Sequence, residues 1–202
     1  MPVDGVRAVH LTVGGPVAPW LRLGLPIVGD AASASLITDN CSIIWPDGDL
    51  PSGTLMLGLS EVQAGTTIDG IEVDTSVAPE PDVSSPLSID HVVINTDSLD
   101  RTCAEVERVT GHPLKRIREV GAMRQGFHRL GRGGVIIEVV ERPGVDRVSL
   151  WGFVVTVADL DSVVTNASGV IGPPRDAVQP GRRIATVASQ ADLGVAVAFM
   201  SR

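Results

Sequence analysis

The chain is poor in aromatic residues, with three tryptophans, three phenylalanines and no tyrosine among 202 residues. It also lacks a long apolar run, and no stretch approaches the roughly 20 apolar residues that a membrane-spanning helix needs. The formal net charge is −8 and no basic stripe is present. Proteins that bind nucleic acid usually carry a basic surface with stacking side chains. We therefore expect neither nucleic acid nor a membrane as a partner.

Cysteine is scarce as well. Cys41 and Cys103 are too few for a disulfide framework, and neither belongs to a CxxC pair. The first residues lack the charged start, apolar run and small-residue cleavage site of a secretory signal. These absences predict a cytoplasmic protein in a reducing compartment. No Ser-His-Asp or Cys-His nucleophile pattern is evident either, so covalent hydrolase chemistry is not expected.

Charge is distributed unevenly along the chain. Residues 1–86 carry 11 acidic residues and two basic ones, whereas residues 87–202 carry 13 acidic and 14 basic residues. This contrast predicts a separate N-terminal α+β segment over residues 1–74. The segment 75–86, TSVAPEPDVSSP, is rich in proline and serine and is predicted to be a linker. Residues 87–202 would then form the second domain.

An internal repeat organises residues 87–202. Residues 89–100 and 150–161 align at an offset of 61 without a gap, each with a β-branched run, a turn and a Leu-Asp pair that opens a helical pattern. Asp97 or Ser98 is the expected cap of the first helix, Gly111 its end, and Asp159 the cap of the second. Further strands are predicted at 114–120, 124–130, 135–140, 170–171, 183–188 and 195–200. The pattern predicts two tandem βαβββ units, residues 87–143 and 149–202, in an α+β fold.

A degenerate third unit is predicted at the N-terminus. Residues 9–13 resemble the start of the repeat, and residues 20–25 have the character of a short helix. Residues 35–45 and 54–59 are predicted to be strands. His10 in this segment matches His91 by local pattern, and it would reach a cleft only if the N-terminal unit packed beside it.

Tandem βαβββ units with a histidine in the first strand and a glutamate in the last resemble the vicinal oxygen chelate superfamily. This group includes glyoxalase I, extradiol dioxygenases, methylmalonyl-CoA epimerase and bleomycin resistance proteins. The segments that carry the resemblance are IDHVVINTDSLDR at 89–101 and GGVIIEVVERP at 133–143. LWGFVVTVADLD at 150–161 and RDAVQPGRRIATV at 175–187 look like an actinobacterial glyoxalase-like subgroup.

The resemblance implies a U-shaped sheet whose cleft holds a divalent metal between a histidine and a glutamate from each unit. Carried over by position, the metal ligands of the first unit would be His91 and Glu138. In the second unit Gly152 stands where the histidine is expected, and Ala198 or Phe199 where the glutamate is expected. Half of the metal site is therefore missing from the sequence. The resemblance also implies a homodimer.

Further candidate site residues lie on neighbouring strands. His128 is a candidate third ligand or general base, acting with Glu138 in catalysis, because imidazole titrates near neutrality. A half-exposed strand histidine is the plainer alternative. Arg124, Gln125 and Trp151 are candidate ligand-binding residues of the cleft. For Trp151 the alternative is simple core packing.

Two functions follow from these residues. The first is a metal-dependent lyase, isomerase or dioxygenase acting on a small oxygenated substrate at His91 and Glu138. The second is a metal-free protein that binds or sequesters a small molecule, like a bleomycin resistance protein, because the second unit lacks the expected ligands. An acidic N-terminal segment that serves a structural partner is a third alternative, for which the sequence specifies no partner.

Overall fold

The computed structural model describes residues 5–30, 33–48, 50–167 and 169–202. The first part of the chain forms one sheet, in which the described strands follow the order β2-β3-β4-β1-β5-β7-β6. Its elements are β1 (Ala8–Val13), α1 (Ala18–Leu21), β2 (Val28–Gly29), β3 (Ala34–Leu36), β4 (Ser42–Trp45), β5 (Leu55–Leu59), β6 (Thr67–Ile68) and β7 (Ile71–Asp74).

The second part of the chain forms another sheet, in the order β13-β14-β15-β12-β8-β11-β10-β9. Its elements are β8 (Ser88–Thr96), α2 (Leu99–Thr110), β9 (Arg116–Val120), β10 (Met123–Arg129), β11 (Ile136–Glu141), β12 (Ser149–Val157), α3 (Leu160–Asn166), β13 (Arg175–Asp176), β14 (Arg183–Thr186) and β15 (Ala196–Ser201). In each unit the first strand runs parallel to the last, and β8 and β12 meet antiparallel in the middle. This order confirms the predicted α+β glyoxalase-like fold.

The longest helix begins and ends where the sequence signals predict. The Oγ of Ser98 accepts a hydrogen bond from the backbone N–H of Arg101 at 3.4 Å, which satisfies one of the unpaired donors at the start of α2. Gly111 ends the helix in the left-handed region, with φ of 70°. The apolar face of α2 then packs on β10 at Gly126, where an added Cβ would lie 2.7 Å from the Sγ of Cys103. A glycine at this point lets the helix approach the sheet closely.

The second unit departs from the prediction in one strand. The strand expected at residues 170–171 is reduced to a single bridge between Ile171 and Val187. The pairing strand is instead β13, which begins directly after two prolines. Proline has no backbone N–H to donate to a ladder, so a regular strand cannot run through that segment.

The N-terminal sheet repeats the same plan. Strand β1 runs parallel to β4, and β4 pairs antiparallel with β3, which is the connectivity of a βαβββ unit. A second half follows without a helix, since β5 runs parallel to β7 and β7 pairs antiparallel with β6. The strand predicted at 54–59 is β5, the first strand of this second half, and the strand predicted at 35–45 is divided into the paired strands β3 and β4. The division of the chain at residues 75–86 stays a prediction, although the Oγ of Ser42 donates to the carbonyl of Pro79 at 2.8 Å and joins that segment to the sheet.

The two sheets share one apolar core. The ring of Trp20 in α1 contacts Trp45 edge-on, with centroids 5.1 Å apart, and stacks on Phe153 of β12 at 6.0 Å. Because side chains alternate along a strand, the residues next to these core positions face the other side of each sheet. His10 of β1 and His91 of β8 lie on those outer faces. In the described ranges, no helix is long and apolar enough to cross a membrane.

Candidate functional site

The ladder between β8 and β12 shows which positions of the two units correspond. His91 pairs with Val154, and Val93 pairs with Gly152. Shifting each residue by the 61-residue offset of the repeat exchanges these two pairs, so the ladder has an approximate twofold symmetry. Gly152 therefore occupies in the second unit the position that His91 occupies in the first.

A β-bulge places two polar side chains together on β8. The ladder passes from His91 opposite Val154 to Ile89 opposite Val155, which leaves Asp90 as the extra residue. Neighbouring residues of a regular strand face opposite sides, and a bulge changes the direction of a side chain locally. As a result the Nδ1 of His91 lies 2.8 Å from the Oδ2 of Asp90.

The second nitrogen of His91 faces a carboxyl group on the neighbouring strand. Its Nε2 lies 3.4 Å from the Oε2 of Glu138, and the side chains of the two residues are 16% and 12% exposed. The Nε2 of Gln125 on β10 donates a hydrogen bond to the Oε1 of Glu138 at 2.8 Å. The Oε1 of Gln125 is buried without a hydrogen-bond partner among the described residues. Three adjacent strands thus contribute one connected polar group.

The two carboxyl groups on either side of His91 have opposite pKa shifts. Burial raises the pKa of Glu138, and the charges of His91 and Arg118 offset this only in part. Burial also acts to raise the pKa of Asp90, but hydrogen bonds from His91 and Arg182 outweigh it and lower that pKa. Asp90 is therefore held as a carboxylate, whereas Glu138 takes up a proton more readily than an ordinary glutamate.

The second unit presents apolar side chains on the same face. Glu138 pairs with Val93, and the symmetry-related pair joins Val154 to Ala198, so Ala198 rather than Phe199 stands where the second glutamate was expected. A small buried cluster surrounds this position, formed by Val154, Ala198 and Met200 with Ala177 and Ile184. The face is polar in the first unit and apolar in the second.

Gly152 leaves no room for a ligand side chain. A Cβ at this position would lie 2.2 Å from the carbonyl oxygen of Ala196 and 2.8 Å from its Cβ. Contacts this short do not occur without movement of the backbone of β15. The position that would hold the second histidine is closed by the packing of two paired strands.

These residues do not fit a metal held by four side chains. His91 and Glu138 provide two donors, while Gly152 and Ala198 provide none. In the part of the chain that the structure describes, no group of three or more His, Cys, Asp or Glu side chains could hold a metal ion. Two protein ligands are fewer than either structural or catalytic zinc sites use.

Two of the predicted site residues lie on the opposite face of the sheet. His128 is fully buried there, with its Nδ1 3.0 Å from the carbonyl oxygen of His112, and burial lowers its pKa. Arg124 contacts Asp100 at 3.2 Å and Glu141 at 3.5 Å. The structure brings Gln125 to the site and brings neither His128 nor Arg124 there.

Trp151 is the bulge residue of β12. The ladder passes from Leu150 opposite Ile94 to Gly152 opposite Val93 and leaves Trp151 as the extra residue, the counterpart of Asp90. Its side chain is half-exposed, and the guanidinium of Arg142 lies 5.7 Å from the ring centroid. The tryptophan thus forms a cation–π contact at the surface rather than packing in the core.

A second polar cluster lies on the outer face of the N-terminal sheet. Strand β1 carries the same bulge as β8, because its ladder passes from His10 opposite Gly58 to Ala8 opposite Leu59 and leaves out Val9. His10 therefore corresponds to His91 by register as well as by sequence pattern. It is 1% exposed, and its Nδ1 has no hydrogen-bond partner in the described structure.

The partner of His10 is an aspartate that the sequence did not indicate. The Nε2 of His10 lies 3.1 Å from the Oδ2 of Asp74 and 3.3 Å from the Oγ of Ser76. Burial acts to raise the pKa of Asp74, but hydrogen bonds from Thr12, Ser76 and His10 outweigh it and lower the pKa to about 2. The alternation of IEVD after the Asp-Gly turn at 69–70 is the signal that could have identified strand β7 and its terminal carboxylate.

Two cavities lie away from both histidines. One, of about 690 Å³, lies between β5, the turn before β7 and the start of β12, and its walls include Thr54, Asp69 and Arg147. The other, of about 730 Å³, lies beside Trp45 and Asp47. Neither contains residues of the polar group around Glu138.

Comparison with known proteins found solved structures that are similar to this chain at low sequence identity. A methylmalonyl-CoA epimerase variant from Streptomyces coelicolor, in complex with 2-nitronate-propionyl-CoA, has 18% identity over 57% of this chain and 94% of its own, with a TM-score of 0.48. The epimerase from Mycobacterium tuberculosis has 16% identity over 63% of this chain and 93% of its own, with a TM-score of 0.49. No protein-family model and no curated protein matches the chain. The resemblance to the vicinal oxygen chelate superfamily holds at the level of the fold, which the strand order of the chain itself establishes.

Proposed function

We propose that the chain is a metal-independent enzyme that moves a proton on a small carbonyl compound, an isomerase or lyase, with Glu138 as the base. The observation that carries this proposal is the buried carboxyl of Glu138, whose pKa is raised and which lies 3.4 Å from the Nε2 of His91. A general base works best when its pKa lies near the working pH, and burial is a common means of raising that of a glutamate.

The geometry supports a defined path for the proton. The Oε2 of Glu138 takes the proton from a carbon next to the carbonyl, while Gln125 holds the other carboxyl oxygen in place. The protonated Oε2 can then donate to the Nε2 of His91, which accepts when His91 carries its proton on Nδ1 and donates it to Asp90. The carboxylate of Asp90 stabilises the imidazolium that forms.

Negative charge develops on the substrate oxygen as the carbon loses its proton. Arg118 lies opposite Gln125 in the ladder between β9 and β10, on the same face as Glu138. Its charge already acts on the Glu138 carboxyl. An arginine in this position stabilises an enolate through electrostatic attraction.

Exchange of substrate protons with solvent tests the proposal without a known substrate. A panel of small ketones, 2-oxo acids and thioesters is incubated in D₂O, and loss of the proton next to the carbonyl is followed by ¹H NMR. We expect at least one compound to exchange, and Glu138→Gln to slow that exchange by about 10²-fold or more. Glu119→Gln, an exposed carboxylate on β9, is the matched control and should exchange at the wild-type rate. Equal rates in wild type and Glu138→Gln would refute the assignment of the base.

Metal content is a separate measurement on the same protein. We expect substoichiometric divalent metal after purification without chelator, and the same amount in the His91→Ala variant. Stoichiometric metal in the wild type that is lost in His91→Ala would instead support the hypothesis that His91 and Glu138 are metal ligands.

A metal-free binding protein is the second candidate function, and the absence of polar side chains at Gly152 and Ala198 favours it. Such a protein would hold its ligand by the apolar half of the face and would not need proton transfer. Binding of a panel compound that is unchanged in the His91→Ala, Glu138→Ala double variant, with no solvent exchange in the wild type, would support this function over the enzyme. The small-molecule partner and the homodimer stay predictions.

A further inference from the structure

An arginine of the second unit reaches the polar group of the first. Arg182 lies just before β14, and its guanidinium donates three hydrogen bonds: from Nε to the carbonyl of Ser201 at 2.7 Å, from Nη1 to the Oδ1 of Asp90 at 2.8 Å and from Nη2 to the Oγ1 of Thr156 at 2.9 Å. These acceptors belong to three different strands, β15, β8 and β12. The side chain is 22% exposed.

The two oxygens of Asp90 have separate partners. Its Oδ1 accepts from Arg182, and its Oδ2 lies 2.8 Å from the Nδ1 of His91. Because the other nitrogens of Arg182 are bound to Ser201 and Thr156, its hydrogen bond to Oδ1 restrains the rotation of the Asp90 carboxylate. The orientation of Asp90, and therefore the hydrogen bond to His91, depends on Arg182.

We propose that Arg182 is a positioning residue, which holds Asp90 so that His91 keeps its proton on Nδ1 and presents an unprotonated Nε2 to Glu138. The inference deepens the proposed function, since proton transfer from Glu138 needs an acceptor at Nε2. A neutral imidazole has two tautomers, and a hydrogen bond at one nitrogen selects between them. Arg182 stands 92 positions from Asp90 in the chain, so the fold alone makes this connection.

Through Arg182 the second unit acts on the polar group of the first unit. Its own positions on this face hold Gly152 and Ala198, neither of which has a polar side chain. The turn between β13 and β14 nevertheless places Arg182 over the central strands. The unit that lacks polar side chains at Gly152 and Ala198 therefore orients the histidine of the unit that has them.

Arg183 offers a matched control. It is the next residue in the chain and also an arginine, but it contacts Asp161 at 2.6 Å on the surface, and its side chain is 45% exposed. A change of charge at Arg183 leaves the Asp90 contact in place. Effects of net charge can thus be separated from effects of position.

The tautomer of His91 is measured directly by long-range ¹H–¹⁵N NMR on ¹⁵N-labelled protein at about pH 8.5, where an ordinary imidazole is neutral. The resonances of His91 are identified by their loss in His91→Gln. In the wild type we expect the Nδ1–H form. In Arg182→Gln we expect the ratio of Nδ1–H to Nε2–H to fall by about tenfold or more, the scale of a hydrogen bond to a charged group. Arg182→Lys should restore part of the ratio, and Arg183→Gln should leave it unchanged.

An unchanged tautomer ratio in folded Arg182→Gln would overturn the proposal, and so would an equal change in Arg183→Gln. If Arg182→Gln does not fold, Thr156→Val takes its place, because it removes one of the three acceptors of Arg182 and should lower the ratio by a smaller factor. No change in Thr156→Val would then count against the proposal. The tautomer does not depend on whether Glu138 acts as a base, so a failed exchange assay with an Arg182-dependent tautomer would refute the proposed function alone.

Discussion

Replacing Gly152 with alanine tests why the second unit cannot complete a ligand set. The added Cβ would lie 2.2 Å from the carbonyl oxygen of Ala196, its partner in the parallel ladder of β12 and β15. Because the obstructing atom belongs to the backbone of a paired strand, rotation of a side chain cannot relieve the contact. The strand must shift or the ladder must open locally.

The size of the effect follows from the cost of overpacking. Forcing extra atoms into a well-packed region usually costs about 1–3 kcal/mol of the free energy of unfolding. For a chain of about 200 residues each kcal/mol lowers the melting temperature by about 2–4 °C. We therefore expect Gly152→Ala to melt about 2–12 °C below the wild type, measured by circular dichroism during thermal denaturation.

A matched glycine is available as the control. A Cβ at Gly172 would lie 3.6 Å from the carbonyl oxygen of Thr186, which is an ordinary contact. Gly172→Ala should therefore leave the melting temperature unchanged or raise it slightly, because alanine restricts the unfolded chain. A Gly152→Ala protein as stable as the wild type would show that the position has room for a side chain, and the steric argument against a ligand at Gly152 would be wrong.

Three further changes test the packing and the charges. The pKa of Asp74, about 2, lies below the ordinary value of about 3.9. Its contribution to stability is therefore complete above pH 4 and is lost as the pH falls toward 2. In Asp74→Asn the free energy of unfolding, measured in urea, should therefore change less with pH across that range. The raised pKa of Glu138 means that its ionised form opposes folding at neutral pH, so Glu138→Gln should increase the free energy of unfolding at pH 7, and the gain should vanish below the ordinary carboxyl pKa of about 4.3. Trp20→Ala should cost about 3–5 kcal/mol in the same assay, because the ring joins the cores of both sheets.

The fold of residues 87–202 was predictable because the repeat preserves local signals. The offset of 61 holds through both first strands, their bulges and their helix caps, so the alignment needs no gap. The strands of the N-terminal sheet were harder to predict. Strand β6 is two residues long, too short to show an alternation of apolar and polar residues, and the four residues of β7 show it only briefly after the Asp-Gly turn.

Part of the site could have been predicted more sharply from strand alternation alone. Gln125 and His128 are three residues apart, an odd number, so a regular strand must place them on opposite faces. Arg124 and Gln125 are adjacent and are separated by the same rule. The sequence could not show which face carries Glu138, and the ladder between β10 and β11 decides this in favour of Gln125.

The hydrogen bond from Arg182 to Asp90 could not be predicted from strand alternation. Arg182 follows a Pro-Gly turn in a segment whose strand boundaries differ from the predicted ones, and its acceptors lie on three strands. Long-range contacts of this kind depend on the tertiary placement of a turn, which neither periodicity nor capping signals determine. Only the assembled sheet brings the arginine to Asp90.

His10 and His91 occupy equivalent positions in the two sheets but contact different carboxyl groups. The residues beside each imidazole ring explain this difference. His10 lies over Gly58, where an added Cβ would be 2.1 Å from the ring, and so reaches across β5 to Asp74. The residue opposite His91 is Val154, whose side chain fills the equivalent space on β12.

His91 therefore turns to the other side of its strand. There β11 offers Glu138 at the position where β4 of the N-terminal sheet has Ile44. The first-strand histidine on the outer face of each sheet thus contacts a carboxyl group, Asp74 in the N-terminal sheet and Glu138 in the second. The side chain of His91, beside Glu138, is 16% exposed, whereas that of His10, beside Asp74, is 1% exposed. We therefore propose His91, rather than His10, as the histidine that a small molecule can reach.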